Sequence, residues 1–188
     1  MKFPDKYKIL GQNVFAQGDY KLVPIRYEDR HEIMKWRNEQ MYHLRQDKPL
    51  TEESQDIYFD TVVAELFNES KPSQLLFSYL KNDICIGYGG LVHINWDDGN
   101  AEISFIMKTE LEPESFNFHW RAYLSLIEEL AFSLLGLHKI YVYAFDLRPH
   151  LYEALEQAGY INDARLRDHL IIEGKYTDVV IHSKIAVK

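Results

Sequence analysis

A predicted strand, AEISFIMK (residues 101–108), runs into a predicted long helix through a stretch that begins ELEPESFNFHWRAYL (110–124). A strand leading into a helix is a common place for a phosphate group, because free backbone amides and the positive dipole end of the helix attract an anion. Such turns usually contain glycine, which lets the backbone approach the anion. This turn has none, and Phe116 and Phe118 stand where glycines would be expected.

Cationic side chains near this turn are the candidates for holding an anion without glycine amides. His119 and Arg121 belong to the start of the predicted helix, and Arg148 precedes the next helix. A guanidinium group can donate two parallel hydrogen bonds to a phosphate. An ordinary solvated cation is the alternative for each residue. The turn is therefore predicted either to bind an anion through side chains or not to bind one.

Two further polar residues share one face of the preceding strand. Glu102 and Ser104 are two residues apart, so their side chains point to the same side of the sheet. Other motifs indicate no cofactor: GYGG (87–90) is followed by strand rather than helix, which argues against a dinucleotide fold. The eight histidines show no HExxH pattern and no cysteine partners at metal-ligand spacing, so no metal site is expected.

The composition favours one globular domain over residues 1–188, with residues 1–19 as an irregular N-terminal arm. The chain is 46% hydrophobic and 14% aromatic, enough for a substantial core. A net charge of −8 without a basic block argues against nucleic acid, and no apolar run is long enough to span a membrane. The single cysteine, Cys85, lies in an apolar run, which indicates a buried thiol and a cytoplasmic protein.

Hydrophobic periodicity predicts eleven elements in the order β-α-α-β-β-β-α-β-α-β-β. Their predicted ranges are 20–25, 27–39, 51–68, 74–81, 84–95, 101–108, 118–136, 139–145, 149–159, 164–172 and 175–185. The succession of strand, long helix and strand implies a right-handed crossover and one parallel pair. The predicted fold class is α/β (α+β): a mixed, mostly antiparallel sheet of six to seven strands flanked by about four helices.

Five segments in this order resemble the GNAT acyltransferase superfamily, and within it the RimJ/RimL-like branch. They are WRN (36–38), NAEISFIM (100–107), LGLHKIYVYAFD (135–146), ALEQAGY (154–160) and LRDHLIIEGKYTDVVIHSKI (166–185). The resemblance covers nearly all of residues 20–185. It implies a GNAT fold with a central splayed parallel pair, and transfer of an acetyl group from acetyl-CoA to an amine, without a metal.

The resemblance also implies roles for individual residues. Glu102 stands where RimJ/RimL-like enzymes carry a candidate general base, although an acidic residue paired with a cation is the alternative. Ser104 is a second catalytic candidate. The predicted donor-binding residues are the strand backbone and the residues of the following turn and helices: Ile106, Met107, Lys108, Phe116, Phe118, His119, Arg121 and Arg148. Leu155 occupies the place of the tyrosine that protonates the departing thiolate in many members.

The acceptor side is predicted from the WRN segment, which resembles that of acetyltransferases acting on 4-amino nucleotide sugars. The candidate acceptor-binding residues are Arg37, Tyr42, His43, His93 and Trp96. An amino group of a nucleotide-linked sugar is the favoured substrate, and a protein N-terminus of the RimJ/RimL type is the alternative. A catalytically inactive binding module is a further alternative. The expected partners are a small-molecule amine and a second copy of the chain in a homodimer.

Overall fold

The computed structural model describes residues 3–187. Over that range eight strands form one sheet. They are β1 (Phe15–Gln17), β2 (Tyr20–Pro24), β3 (Leu75–Lys81), β4 (Ile84–Asn95), β5 (Asn100–Met107), β6 (Lys139–Phe145), β7 (Ile161–Ile172) and β8 (Lys175–Ile185). Their order across the sheet is β1-β2-β3-β4-β5-β6-β8-β7, and every neighbouring pair is antiparallel except β5 and β6. The predicted mixed, mostly antiparallel sheet is confirmed.

The helices of the described chain are α1 (Arg30–Glu39), α2 (Glu52–Tyr58), α3 (Ala64–Leu66), α4 (Glu112–Glu128) and α5 (Pro149–Gln157). A π-helical segment, Phe59–Val63, joins α2 to α3, so these residues form one continuous helical rod. Thr51 caps that rod as its sequence indicates, because its hydroxyl accepts a hydrogen bond from the Ser54 amide at 3.2 Å. The four helical rods agree with the predicted number.

The N-terminal arm is more ordered than its sequence indicates. Phe15 of β1 lies opposite Leu22 of β2 and is buried, and this pairing raises the strand count above the predicted six to seven. Tyr7 is also buried, where its hydroxyl donates to the Leu76 carbonyl at 2.8 Å. The predicted arm begins at residue 1, and residues 1, 2 and 188 lie outside the described range.

The start of α4 differs from the prediction. A 3₁₀ turn, Thr109–Leu111, follows β5, and α4 already begins at Glu112 because Pro113 suits a first helical turn. Phe116 and Phe118 are therefore residues of α4 itself and not of the turn before it. Within residues 3–187 no helix has both the length and the hydropathy that crossing a membrane requires.

Helix α4 packs on one face of the central strands, where Phe105 stacks on Tyr123 with 3.9 Å between ring centroids. The Tyr123 hydroxyl donates to the Ser104 carbonyl at 2.9 Å. Gly89 of β4 makes this packing possible. A β-carbon at Gly89 would lie 2.0 Å from the Ser104 carbonyl oxygen and 2.6 Å from the Tyr123 hydroxyl, closer than atoms can approach. Helix α1 packs on the opposite face, where Arg37 Nη1 donates to the Tyr88 hydroxyl at 2.6 Å.

Candidate active site

The candidate active site is a cavity between the two parallel strands. β5 and β6 are paired only from Asn100 with Lys139 to Glu102 with Tyr141, and beyond that point the strands diverge. The wedge cavity that opens there has a volume of about 180 Å³. Its charged and polar lining comes from α1, the following loop, β5, β6 and the start of α5: Arg37, His43, Arg45, Glu102, Ser104, Tyr143 and Arg148. The predicted splayed pair is thus present, and it creates a cleft.

Glu102 lies at the point where the strands separate. Its side chain is buried and forms an ion pair with Arg45, and its Oε2 atom lies 4.0 Å from Nε2 of His93. Burial raises the pKa of Glu102 above its usual value, although Arg45 and His93 act in the opposite direction. Ser104 lines the same cavity, together with its neighbours Ile103 and Phe105. A carboxylate with a raised pKa in a cleft suits proton transfer.

The three residues of the WRN segment lie in three different environments. Trp36 is buried in the core, while Arg37 lines the wedge cavity. Asn38 holds the loop between α1 and α2: its side-chain oxygen accepts from the Leu50 amide at 2.8 Å, and its nitrogen donates to the Leu50 carbonyl at 2.9 Å. The loop residues 41–50 are therefore fixed against α1, and this loop brings His43 and Arg45 to the cavity.

His43 is neutral in this setting. It is buried in the cavity wall, and burial together with the nearby Arg148 lowers its pKa to about 3. Tyr42 packs edge-on against it with 4.8 Å between ring centroids, and the Tyr42 side chain is half exposed. At neutral pH His43 can donate or accept a hydrogen bond but adds no charge to the cleft.

Arg148 closes the cavity at the start of α5. It is buried, its Nη1 lies 3.4 Å from Glu112 Oε1 in the first turn of α4, and its guanidinium carbon lies 5.7 Å from the centre of the Phe116 ring. Burial lowers the pKa of Arg148. The first turn of α4 also carries Glu112 and Glu114, and it contains Pro113, which has no N–H to donate. The positive end of α4 is therefore a poor anion site by itself, and Arg148 supplies the cation there.

Three residues at or just after the end of β5, Ile106, Met107 and Lys108, are predicted to bind the donor, and they differ in whether their backbone groups are already hydrogen-bonded. Ile106 lines the wedge cavity. The Met107 carbonyl accepts a hydrogen bond from Gln40 Nε2 at 2.8 Å, and the Lys108 amide donates to the Ile86 carbonyl at 2.8 Å. These two backbone groups are already paired within the chain.

Other predicted residues lie away from the wedge cavity. Phe118, which is exposed, and Arg121 line a separate depression beside the turn between β1 and β2. His119 is buried, with its Nδ1 atom 3.3 Å from the Tyr79 hydroxyl. Trp96 donates from Nε1 to the Pro72 carbonyl at 2.9 Å. Of these four side chains, none lines the wedge cavity.

Sequence reasoning missed Arg45, which pairs with the candidate base. The only sequence signal was a basic residue in a long loop that follows a helix, which is common on protein surfaces. Leu155, at the place of the usual acidic tyrosine, is buried and has no proton to donate. Tyr152, one turn earlier in α5, donates to Asp146 at 2.7 Å.

Metal ligands and reactive thiols are two further features that an active site can have. Over residues 3–187 no group of three or more His, Cys, Asp or Glu side chains is arranged to hold a metal ion. Cys85 is half-buried, and burial raises the pKa of its thiol to about 12. A thiol that stays protonated at neutral pH is a poor nucleophile.

Comparison with known proteins identifies the family. The model of the acetyltransferase (GNAT) domain family matches residues 22–181. The chain therefore belongs to the GNAT acetyltransferase family.

One curated relative is the spermidine N(1)-acetyltransferase of Vibrio cholerae serotype O1, which is 29% identical over 94 residues. The match covers 50% of this chain and 53% of that protein, so it spans about half the length of the relative. The crystal structure of the Vibrio cholerae spermidine N-acetyltransferase in complex with CoA and spermine superposes with a TM-score of 0.78 at 19% identity, over 90% of this chain and 96% of that one. A dodecameric structure of the same enzyme gives a TM-score of 0.72 at 20% identity, over 90% and 95% of the two chains. At these identities the likeness establishes the fold.

Proposed function

We propose that this protein transfers an acetyl group from acetyl-CoA to a primary amine, with Glu102 as the general base. The observation that carries the proposal is a buried carboxylate of raised pKa at the point where β5 and β6 diverge. The amine nitrogen attacks the thioester carbonyl, so that a C–N bond forms and the C–S bond breaks. Glu102 takes the amine proton, directly or through one water molecule, and the cavity holds the reactants close together.

Acetyl-CoA would lie along β5 in the wedge cavity, with Ile106 beside its pantetheine arm and Arg148 facing its phosphates. The Vibrio cholerae neighbour, whose structure contains CoA, supports a CoA-type donor. Arg148 supports it independently, since a buried guanidinium at the cavity end is suited to a phosphate. The departing thiolate receives no proton from Leu155, so the arginines of the cavity would stabilise its charge until solvent protonates it.

For the acceptor we propose the amino group of a nucleotide-linked amino sugar. Three arginines line the wedge cavity: Arg45 is paired with Glu102 and Arg148 with Glu112, whereas Arg37 has no carboxylate partner in the described chain. The charge of Arg37 disfavours a polyamine such as spermidine. It favours an acceptor that carries negative charge. A peptide N-terminus, the substrate of RimJ/RimL-type enzymes, is the alternative acceptor.

The test is an acceptor panel with acetyl-CoA as donor: a nucleotide-linked 4-amino sugar, a peptide with a free N-terminus, and spermidine. Formation of the acetylated sugar, followed by mass spectrometry, is the expected result. Acetylation of the peptide alone would support the RimJ/RimL-type reading. No turnover of any amine, together with no binding of acetyl-CoA, would instead indicate a GNAT-fold binding module.

We also propose that the chain acts as a homo-oligomer in the cytoplasm. A dodecamer is known for the Vibrio cholerae neighbour, and a homodimer is the smallest assembly of this kind. A lone, half-buried cysteine suits a reducing compartment. Light scattering after size-exclusion chromatography measures the mass directly, and a mass of 22.3 kDa, that of a single chain, would contradict the oligomer.

A further inference from the structure

We propose that a second cavity, between the α1–α2 face and strands β3 and β4, binds the anionic part of the acceptor. This inference rests on the proposed function. It specifies which cavity holds the part of the acceptor that lies beyond the reacting amine. The second cavity has a volume of about 450 Å³ and includes Arg37, Tyr58, Gln74, Tyr88, Val92 and Ser104 in its lining. Its ligand is an amine that also carries a phosphate or diphosphate group.

The second cavity adjoins the wedge cavity. Arg37 and Ser104 line both cavities, so these two side chains form part of the wall between them. On this face of the sheet Ser104 lies two residues from Glu102, and Val92 of β4 is the strand partner of Glu102. A ligand with its amine at Glu102 can therefore extend past Ser104 into the second cavity without crossing the sheet.

Arg37 supplies the charge that would recognise an anion. Its Nε donates to Gln46 at 2.9 Å and its Nη1 donates to the Tyr88 hydroxyl at 2.6 Å, so both of its hydrogen-bond partners are neutral. No carboxylate within the described chain forms an ion pair with it. These two contacts orient the guanidinium and leave its charge without a counter-ion. A partly buried arginine held in this way is suited to a phosphate.

The rest of the lining is uncharged and about half apolar, so Arg37 is the one charged side chain among the described residues of the second cavity, which suits an anionic ligand better than a polyamine. The side chains around the second cavity include no aspartate and no glutamate. Neutral polar groups are present instead, among them the Gln74 amide and the Tyr58 hydroxyl. A polyamine bound there would lose its hydration next to the positive charge of Arg37. No carboxylate in the second cavity would compensate for that loss.

The spacing along β5 sets the size of the acceptor. From Glu102 to Ser104 the strand advances about 7 Å, and to Ile106, the strand partner of Tyr88, it advances about 13 Å. Because Tyr88 holds Arg37, the anion would lie roughly 7–13 Å from the reacting amine. An amine on a sugar ring joined to a diphosphate has this kind of separation, whereas a short amine without a phosphate does not reach Arg37.

The experiment compares two acceptors that differ only in the anion: the amino sugar with and without its nucleoside diphosphate. Arg37→Gln is expected to raise KM about tenfold to a hundredfold more for the phosphorylated acceptor than for the free sugar. The matched control is Arg167→Gln, which removes the same charge from an exposed position of β7. Equal effects of Arg37→Gln on both acceptors would overturn the inference.

A second variant keeps Arg37 and fills the second cavity with a larger side chain. Gln74→Trp should weaken binding of a nucleoside diphosphate at least tenfold, measured by calorimetry with CoA saturating the donor site, while the melting temperature shows that the variant is folded. Unchanged binding to a folded Gln74→Trp protein would overturn the inference even if acetylation is observed. If no amine is acetylated but the diphosphate binds in an Arg37-dependent way, the proposed function fails and the anion cavity stands.

Discussion

Arg45 and Glu102 form an ion pair that joins the loop between α1 and α2 to the strand that lines the wedge cavity. Glu102 is buried, whereas half of the Arg45 side chain is exposed to solvent. The buried partner is the candidate base, and the exposed partner covers it. If Glu102 is the base, a substrate ammonium group would have to displace the guanidinium of Arg45 from it, and the exposure of Arg45 gives that side chain solvent to move into.

Replacing the base should affect turnover and not donor binding. Glu102→Gln keeps the shape of the side chain but cannot accept the amine proton, so kcat should fall by roughly 10² to 10⁴-fold. The affinity for acetyl-CoA, measured by calorimetry, should stay nearly unchanged. Glu65→Gln, an exposed position of α3, is the control for the lost charge. A Glu102→Gln enzyme with normal turnover would leave Glu102 a structural partner of Arg45.

The pH dependence of kcat/KM should report the same carboxylate. The reaction requires deprotonated Glu102, so the rate rises with pH through the pKa of Glu102, and burial places this midpoint above the ordinary glutamate value of 4.5. Arg45 lowers that pKa, so Arg45→Gln should move the midpoint to higher pH. A midpoint that does not move in Arg45→Gln would mean that another group controls the acid limb.

Arg148 should increase the affinity for acetyl-CoA, and Glu112 should decrease it. Acetyl-CoA should bind with a dissociation constant on the order of micromolar, about 8 kcal/mol. Arg148→Ala removes a charged hydrogen-bond donor worth about 1.5–3 kcal/mol and should weaken binding about tenfold to a hundredfold. Glu112→Gln removes the carboxylate that competes with the phosphates for Arg148, and should strengthen binding.

Calorimetry of both variants, with thermal unfolding to check the fold, tests this arrangement. Weaker binding in both would show that Glu112 orients Arg148 for the donor instead of competing with it. Arg121→Ala should have little effect, because Arg121 lines a different depression.

The packing of α4 on the sheet should be sensitive to a single methyl group. Gly89→Ala places a β-carbon against the Ser104 carbonyl and the Tyr123 hydroxyl and should cost about 1–3 kcal/mol of unfolding free energy. Gly11→Ala is the matched control, since a β-carbon there meets nothing within 4 Å. Urea denaturation of both variants gives the two free energies. Equal stability of the two would contradict the close contact at Gly89.

The strands and the strand-borne part of the site were predictable because they depend on local alternation. Glu102, Ser104 and Ile106 share one face of β5 whatever the rest of the fold does. That Ile103 and Phe105 of the other face also line the wedge cavity follows from the divergence of β5 and β6, which local alternation does not predict. The long crossover helix between β5 and β6 likewise required a parallel pair. By contrast β1 is only three residues long, too short for periodicity to distinguish it from an irregular arm.

The turn and loop residues were harder to predict for a geometric reason. Placing the start of α4 at residue 118 and not at 112 shifts its free amides by six residues, about 9 Å along the helix axis. His119 and Arg121, expected beside a bound phosphate, therefore lie well inside the helix. Arg45 was missed because its pairing with Glu102 joins positions 57 residues apart, which only the folded chain brings together.

The clamp that Asn38 forms with Leu50 has a consequence for how this protein can diversify. The two residues hold the loop at both ends, so the sequence of the segment between them can change while its two ends stay in place. The half-exposed Tyr42 can be exchanged there while the contacts of Asn38 with Leu50 hold both ends of the segment, whereas Arg45 is tied to β5 through Glu102. We therefore expect that loop grafting can change the surface at the mouth of the wedge cavity without unfolding α1 or α2, provided that the grafted loop keeps an arginine for Glu102.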